Sequence, residues 1–341
     1  MYDLLLSGGR IIDGSGSPAY EGSVAVKDGR IVAVGSVGTK ESVETVDVKG
    51  ACISAGFIDA HAHDDLAVLN HPDHAPKLLQ GVTTVALGNC GYGCAPVGGD
   101  YDAVRKYSEP VIGRFAGRWD WKCFDEYVER LVHMPTTVNT VAQIPHGMVR
   151  AAVMGFEARA ATNEEIEAMT TLVDEAMSAG AIGLSFGLMY APGCYADQVE
   201  LIALAREVAR HGGILTCHLR SEGGALREAM EEFFYLGRVT GVSLHVSHLK
   251  SISRPNHGRI PAILTWLDEL RARGEDITCD VYPYPASSTI ITSLMPQWSL
   301  NGGLQAMLRR LKDSVVRERI KADFTKPWGR VENRLLGTGY A

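Results

Sequence analysis

From residue 56 onward the chain alternates short β-branched runs with amphipathic helical stretches. Such alternation limits the fold to a parallel sheet, closed or open. The runs at 82–87, 137–144, 182–188, 214–219, 242–248 and 277–282, with the one leading to His61, make seven expected strands. Between them, Thr162-Asn163-Glu164-Glu165 has the form of a capping box. It opens a helix with Ile166, Met169, Leu172, Val173 and Ala176 on one stripe. Residues able to do chemistry recur at the carboxyl ends of the runs: His63, Cys90, His146, Tyr190, His218, His248 and Tyr282. That distribution marks a (β/α)8 TIM barrel. A doubly wound sheet would gather function at one switch point. No glycine-rich dinucleotide motif follows the first strand, and there is no Walker-type loop.

Residues 1–55 read differently. Short strands at 2–7, 10–12, 23–27 and 30–34 are separated by glycine turns, with Asp28-Gly29 a strong hairpin signal. This is the expected N-terminal part of a small β-sandwich module. The barrel is expected over 56–341, with 286–341 an insertion or lid. The net charge of -7 comes without a basic block, which argues against a nucleic-acid partner. No apolar run reaches the roughly 20 residues of a membrane span. The first seven residues lack the basic region of a secretory signal. Seven scattered cysteines fit a reducing cytoplasm better than a disulfide framework.

His61-Ala62-His63 places two imidazoles on one face of a strand, because a strand turns alternate side chains to opposite faces. Ile58, Ala60 and Ala62 would face the packing side. On the run 214–219, Ile214, Thr216 and His218 share one face, and Leu215, Cys217 and Leu219 face the helices. His248 ends the next run. Cys90 sits in Gly88-Asn89-Cys90-Gly91, where glycines permit close approach. A thiolate with imidazoles is a zinc-type ligand set. The metal candidates are therefore His61, His63, Cys90, His218 and His248. Cys52, Cys123, Cys194, Cys217 and Cys279 are expected as small apolar fillers. His71, His74, His133 and His257 are expected to be solvated loop residues, and His146 and His245 structural.

These residues resemble the amidohydrolase superfamily, specifically its N-acyl-D-amino-acid deacylase (D-aminoacylase) branch. The resemblance rests on Leu6-Ser7-Gly8-Gly9-Arg10-Ile11-Ile12-Asp13-Gly14, on Gly56-Phe57-Ile58-Asp59-Ala60-His61-Ala62-His63-Asp64-Asp65, and on Gly81-Val82-Thr83-Thr84-Val85 leading to Gly88-Asn89-Cys90-Gly91. It continues through Tyr190-Ala191-Pro192-Gly193-Cys194-Tyr195, His218-Leu219-Arg220, Ser247-His248-Leu249-Lys250 and Asp280-Val281-Tyr282-Pro283-Tyr284. It implies a tightly held zinc on Cys90, His218 and His248, and a weaker second metal position on His61 and His63 that Cys90 can bridge. It implies that Lys250 and Tyr190, helped by Tyr282, hold the α-carboxylate of an N-acyl-D-amino acid, the expected small-molecule partner.

The resemblance also calls for an eighth strand ending in an aspartate that acts as acid and base. No run after Tyr284 has that form. Seven of the eight strands are therefore expected here, the catalytic residue is unknown, and the chain is expected to bind zinc but to turn over poorly. Two other readings stand beside it: a cyclic amide or imide hydrolase of the dihydropyrimidinase type, and a non-catalytic zinc-binding assembly module.

Overall fold

Turns at Gly14–Gly16 and Asp28-Gly29 fold the first segment back on itself, whereas Gly8-Gly9, expected to separate two strands, lies within one strand as a register shift. In the computed structural model, which describes residues 1–37, 42–329 and 331–334, the chain divides into two units, Met1–Phe57 and Ile58–Ala341. The first contains β1 (Tyr2–Ile12), β2 (Tyr20–Lys27), β3 (Arg30–Gly35), β4 (Ser42–Asp47) and β5 (Cys52–Ser54). They form one five-stranded sheet in the order β3-β2-β1-β4, with β5 also on β1. The β2–β3 hairpin turns at Asp28 and Gly29, both at positive φ. Where part of a β-sandwich is expected, the described residues form this one sheet.

The second unit carries the alternating elements. In chain order they are β6 (Phe57–Asp59), α1 (Ala67–Asn70), α2 (Ala75–Leu78), β7 (Val82–Leu87), α3 (Tyr101–Ile112), α4 (Phe124–Val132), β8 (Asn139–Ala142) and β9 (Ile144–Pro145). Then come α5 (His146–Met154), α6 (Asn163–Ser178), β10 (Gly183–Gly187), α7 (Gln198–Arg210), β11 (Ile214–His218), α8 (Leu226–Thr240) and β12 (Ser243–Val246). The unit continues with α9 (Ile260–Ala272), β13 (Ile277–Cys279), α10 (Gly303–Lys312) and α11 (Ser314–Asp323).

One sheet runs β6-β7-β8 and another β9-β10-β11-β12-β13. Only Gln143 separates β8 from β9. Its N–H bonds Leu87 O at 3.1 Å, and Ile182 N–H bonds Ala142 O at 2.9 Å, so the two sheets are one array of seven positions. From β9 to β13 every neighbouring pair is parallel. Among the described residues, no helix is long and apolar enough to cross a membrane.

Alternation within strands sorts the side chains. Leu184 and Phe186 on β10, Leu215 and Cys217 on β11, and Leu244 and Val246 on β12 are buried in the apolar core. Thr216 and His218 occupy the opposite face of β11 and are also buried. The capping box at α6 is complete: Glu165 N–H donates to Thr162 Oγ1 at 3.3 Å, and Thr162 N–H donates to Glu165 Oε2 at 2.8 Å.

Several expectations need correction. The first strand stops at Asp59, so His61 and His63 lie just past it, and Ile58 is exposed rather than packed. The stretch 303–324, whose stripe of Leu304, Met307, Leu308, Leu311 and Val315 reads in the sequence as one amphipathic basic helix, is two helices, because Asp313 accepts from the N–H groups of Val315 and Val316 and starts α11. His74, expected to be solvated, is buried, with Nε2 3.1 Å from Asp64 Oδ2. Cys52 and Cys279 are exposed rather than filling the core.

One ion pair is fully enclosed between α5 and α7. Glu200 receives Arg150 and His146 Nε2, the latter at 2.7 Å, and all three residues are shut off from solvent. Burial holds His146 below its usual pKa, so it serves as a neutral donor. Glu200 stays ionised despite burial because His146 and Arg150 surround it. Breaking a buried pair from one side leaves an uncompensated charge, at a cost of about 3–5 kcal/mol. Glu200→Ala should therefore lower unfolding free energy by about that amount in a denaturant titration. A loss under about 1 kcal/mol would show that Arg150 is not held by this carboxylate.

Candidate metal centre

Four strand ends converge on one thiol. Cys90 lies in the turn after β7, at φ +56°, a left-handed conformation uncommon for a residue with a side chain. The turn reaches its place because its neighbours have no side chains. A Cβ on Gly187 would stand 2.0 Å from Cys90 O, and one on Gly88 2.2 Å from Gln143 O. A polar ladder fixes it further. Asn89 Nδ2 donates to Ala62 O at 3.2 Å and Ala86 O at 2.9 Å. Asn89 Oδ1 accepts from Gln143 Nε2 at 3.0 Å, and Thr216 Oγ1 donates to Gln143 Oε1 at 2.7 Å. Gly88 N–H is held by Asp65 Oδ1 at 2.9 Å. Burial pushes the Asp65 carboxyl up to about 7.

Cys90 Sγ lies 3.2 Å from His61 Nε2 and 3.4 Å from His248 Nε2. Two groups of ligand atoms share it: His61, His63 and Cys90, and Cys90, His218 and His248. Within each group all ligand atoms lie within 4.8 Å of one another. The ring centroids of His61 and His248 are 4.8 Å apart, and those of His218 and His248 4.4 Å. His248, at φ +37°, is the second of these residues in a left-handed conformation.

The electrostatics suit a metal. Burial pushes the Cys90 thiol up, but facing His61 and His248 outweighs this and leaves it well below its ordinary value, in the thiolate form that binds metals. His61 resists burial through the Cys90 thiolate and Asp280 and is raised to about 10. His248 is raised to about 9, where the thiolate and Glu222 overcome burial. Burial holds His218 near 4, so it is neutral. Neither nitrogen of His218, nor Nδ1 of His63, has a hydrogen-bond partner among the described residues, although all three atoms are buried. Buried polar atoms are normally paired. Orphaned imidazole nitrogens beside a thiolate are what a thiolate–imidazole metal site requires, so the residues fit zinc.

The three residues expected to bind substrate lie against the same cluster. The ring of Tyr190 is 4.6 Å from that of His218, and its hydroxyl is 2.9 Å from Thr289 Oγ1. Lys250 Nζ donates to His248 O at 3.1 Å and stands 5.3 Å over the Tyr282 ring. Tyr282 lies 6.4 Å from His248 between ring centroids. His146 and His245 stand outside the ligand groups.

Two carboxylates at the cluster belong to no ligand motif. Glu222 Oε1 accepts from Lys250 Nζ and lies 3.0 Å from His248 Nδ1, which also meets Lys250 Nζ at 2.9 Å, and its Oε2 accepts from Arg334 at 2.8 Å. Asp280 follows β13 and contacts His61, His245 and the backbone of His248. The criterion that singles out the histidines, a polar residue at a strand's carboxyl end, also applies to Asp280.

Relatives place this arrangement. The sequence profile of the amidohydrolase family (Amidohydro_3) matches residues 44–258. A D-aminoacylase of Alcaligenes xylosoxydans xylosoxydans is 40% identical over 291 residues, 85% of this chain and 59% of the relative. The crystal structure of an N-acyl-D-glutamate deacylase from Bordetella bronchiseptica, complexed with zinc and a phosphonate inhibitor, superposes with a TM-score of 0.79 at 36% identity, over 87% of this chain and 61% of that one. A D-aminoacylase structure described for its binuclear metal centre gives 0.76 at 38% identity, over 83% and 59%. The chain thus spans about three fifths of the length of the relatives it matches. With a profile match over more than half its residues and the thiolate–histidine cluster at its strand ends, the chain belongs to the amidohydrolase family.

Proposed function

We propose that this chain carries the metal centre of a zinc hydrolase that removes the acyl group from N-acyl-D-amino acids. The observation that carries this reading is a thiolate shared by two histidine groups, with Lys250 and Tyr190 packed beside them. Cys90, His218 and His248 would hold the tighter zinc. His61 and His63, with Cys90 as the bridge, would form the weaker position. Zinc bound there supplies Lewis acidity toward the amide carbonyl. The chain's own residues supply the rest. Lys250 and Tyr190 offer an ammonium and a phenol to a carboxylate by charge-assisted hydrogen bonds. Burial and the Cys90 thiolate keep Tyr190 protonated, as a donor requires. Tyr282 forms the wall beneath the ammonium.

A cyclic amide has no free α-carboxylate for Lys250 to hold, and this weighs against the dihydropyrimidinase-type reading. A purely structural zinc site is closed. Here the side chains of His61 and Lys250 keep 13% and 18% of their exposure, enough for a ligand to reach them. All seven cysteines are unpaired, which supports a reducing, cytoplasmic setting.

Two outcomes check this. Cys90→Ala should remove most of the tightly bound zinc, read by elemental analysis after dialysis. Zinc content equal to the parent protein would remove Cys90 from the ligand set. Calorimetry with the zinc-loaded protein should show N-acetyl-D-methionine binding more tightly than its L enantiomer. Lys250→Ala should weaken that binding about 10–100-fold, the range of a hydrogen bond to a charged group. Equal affinity for both enantiomers, or no effect of the lysine, would overturn the substrate reading.

A further inference from the structure

An imidazole that binds a metal through one nitrogen has its tautomer and ring angle set by what the other nitrogen meets. Two of the four histidines at the cluster have a carboxylate on that remote nitrogen. His61 points Nε2 at Cys90 Sγ, and its Nδ1 is 3.1 Å from Asp280 Oδ2. His248 points Nε2 at the same sulfur, and its Nδ1 faces Glu222 Oε1 at 3.0 Å and Lys250 Nζ, itself held by Glu222, at 2.9 Å. One histidine of each ligand group is thus backed by its own carboxylate.

Both carboxylates are themselves fixed. Asp280 Oδ2 also meets His245 Nε2 at 2.9 Å, and Oδ1 accepts the His248 backbone N–H at 2.7 Å. Asp280 therefore holds donors from three segments: the turn after β6, β12 and the turn after β12. Glu222 is held by Lys250 and Arg334 and is almost fully buried. Neither carboxylate belongs to the two ligand groups that share Cys90.

We propose that Asp280 and Glu222 are positioning residues that divide the centre between them: Asp280 sets His61 for the second metal position, and Glu222 sets His248 for the tighter one. The inference rests on the ligand reading above. It makes a distinction that a general structural role does not. In Asp280→Asn, the amide oxygen can still accept the His248 N–H. The amide nitrogen then faces His61 Nδ1 as a donor, and His61 must carry its proton on Nε2, the atom that faces the metal. The change is nearly isosteric and acts on the tautomer.

The test is metal binding by the whole chain, with zinc stoichiometry from equilibrium dialysis and cobalt(II) absorption as the probe of thiolate coordination. Asp280→Asn should weaken the second position about 10–100-fold, as expected for loss of an outer carboxylate. The tighter position and the thiolate–cobalt charge-transfer band should persist. Glu222→Gln should do the reverse, weakening the tighter position. In a His61→Ala background, Asp280→Asn should have no further effect on metal affinity, since the residue acts through His61. Thermal unfolding of each variant separates this from a loss of fold: a structural role lowers both affinities and adds to the His61→Ala loss. Unchanged affinities in Asp280→Asn, or an additive loss in the double variant, would overturn the inference. Absence of any metal binding by the unsubstituted protein would instead overturn the ligand reading beneath it.

Discussion

The turn that carries Cys90 is held in a space that admits no side chain at Gly88 or Gly187, and the rest of the centre depends on that fit. The strand before it ends with the thiol aimed across the mouth of the array. Asn89 then ties the turn to Ala62 in the His61–His63 segment, and Gln143 ties it to Thr216 on β11. These are buried polar groups paired one to the next, and a buried network is strong only while every member is satisfied. The consequence is a sulfur fixed relative to four histidines drawn from three separate stretches of chain. Left-handed backbone at Cys90 and His248 belongs to the same economy of space, since such conformations persist only where the surroundings over-determine them.

Much of the architecture was legible in the sequence because its signals are local. β-branched runs, capping residues and helical stripes each lie within a dozen residues, and they give the order of strands correctly. Position at a strand's carboxyl end was enough to gather His218, His248 and Cys90, and the three do meet. Finer placement failed where one residue decides it. Asp313 interrupts what reads as a continuous amphipathic helix, because its carboxylate satisfies two amides of the following turn better than helix continuation would. The first strand is short and ends before its histidines, so alternation places them on the correct side but not on the strand itself.

Glu222 and Asp280 were harder to read for a different reason. A carboxylate is among the commonest surface groups, and although Asp280 stands near a strand's carboxyl end, nothing local marks either one as facing a histidine. Asp280 meets His61 across 219 positions of sequence, a pairing visible only once the array brings its first and last strands together at one end. His146 shows the opposite case. It sits at a strand end like the candidate ligands do, yet Glu200 and Arg150 enclose it completely, and burial keeps it neutral. Strand-end position nominates a residue, and the company it keeps decides its role.

One oxygen of Glu222 accepts from Lys250 and lies 3.0 Å from His248 Nδ1, and Lys250 itself meets that nitrogen at 2.9 Å. With an anion on Lys250 and a metal on His248, as proposed, that shared carboxylate would join the two events into one equilibrium. An anion that draws Lys250 toward itself leaves more of the carboxylate's charge for His248 Nδ1, which makes Nε2 a better electron donor. Reciprocity then requires a cation on Nε2 to strengthen the grip on the anion by the same factor. Charge at the mouth and charge in the interior would thus answer to each other through one carboxylate and one lysine.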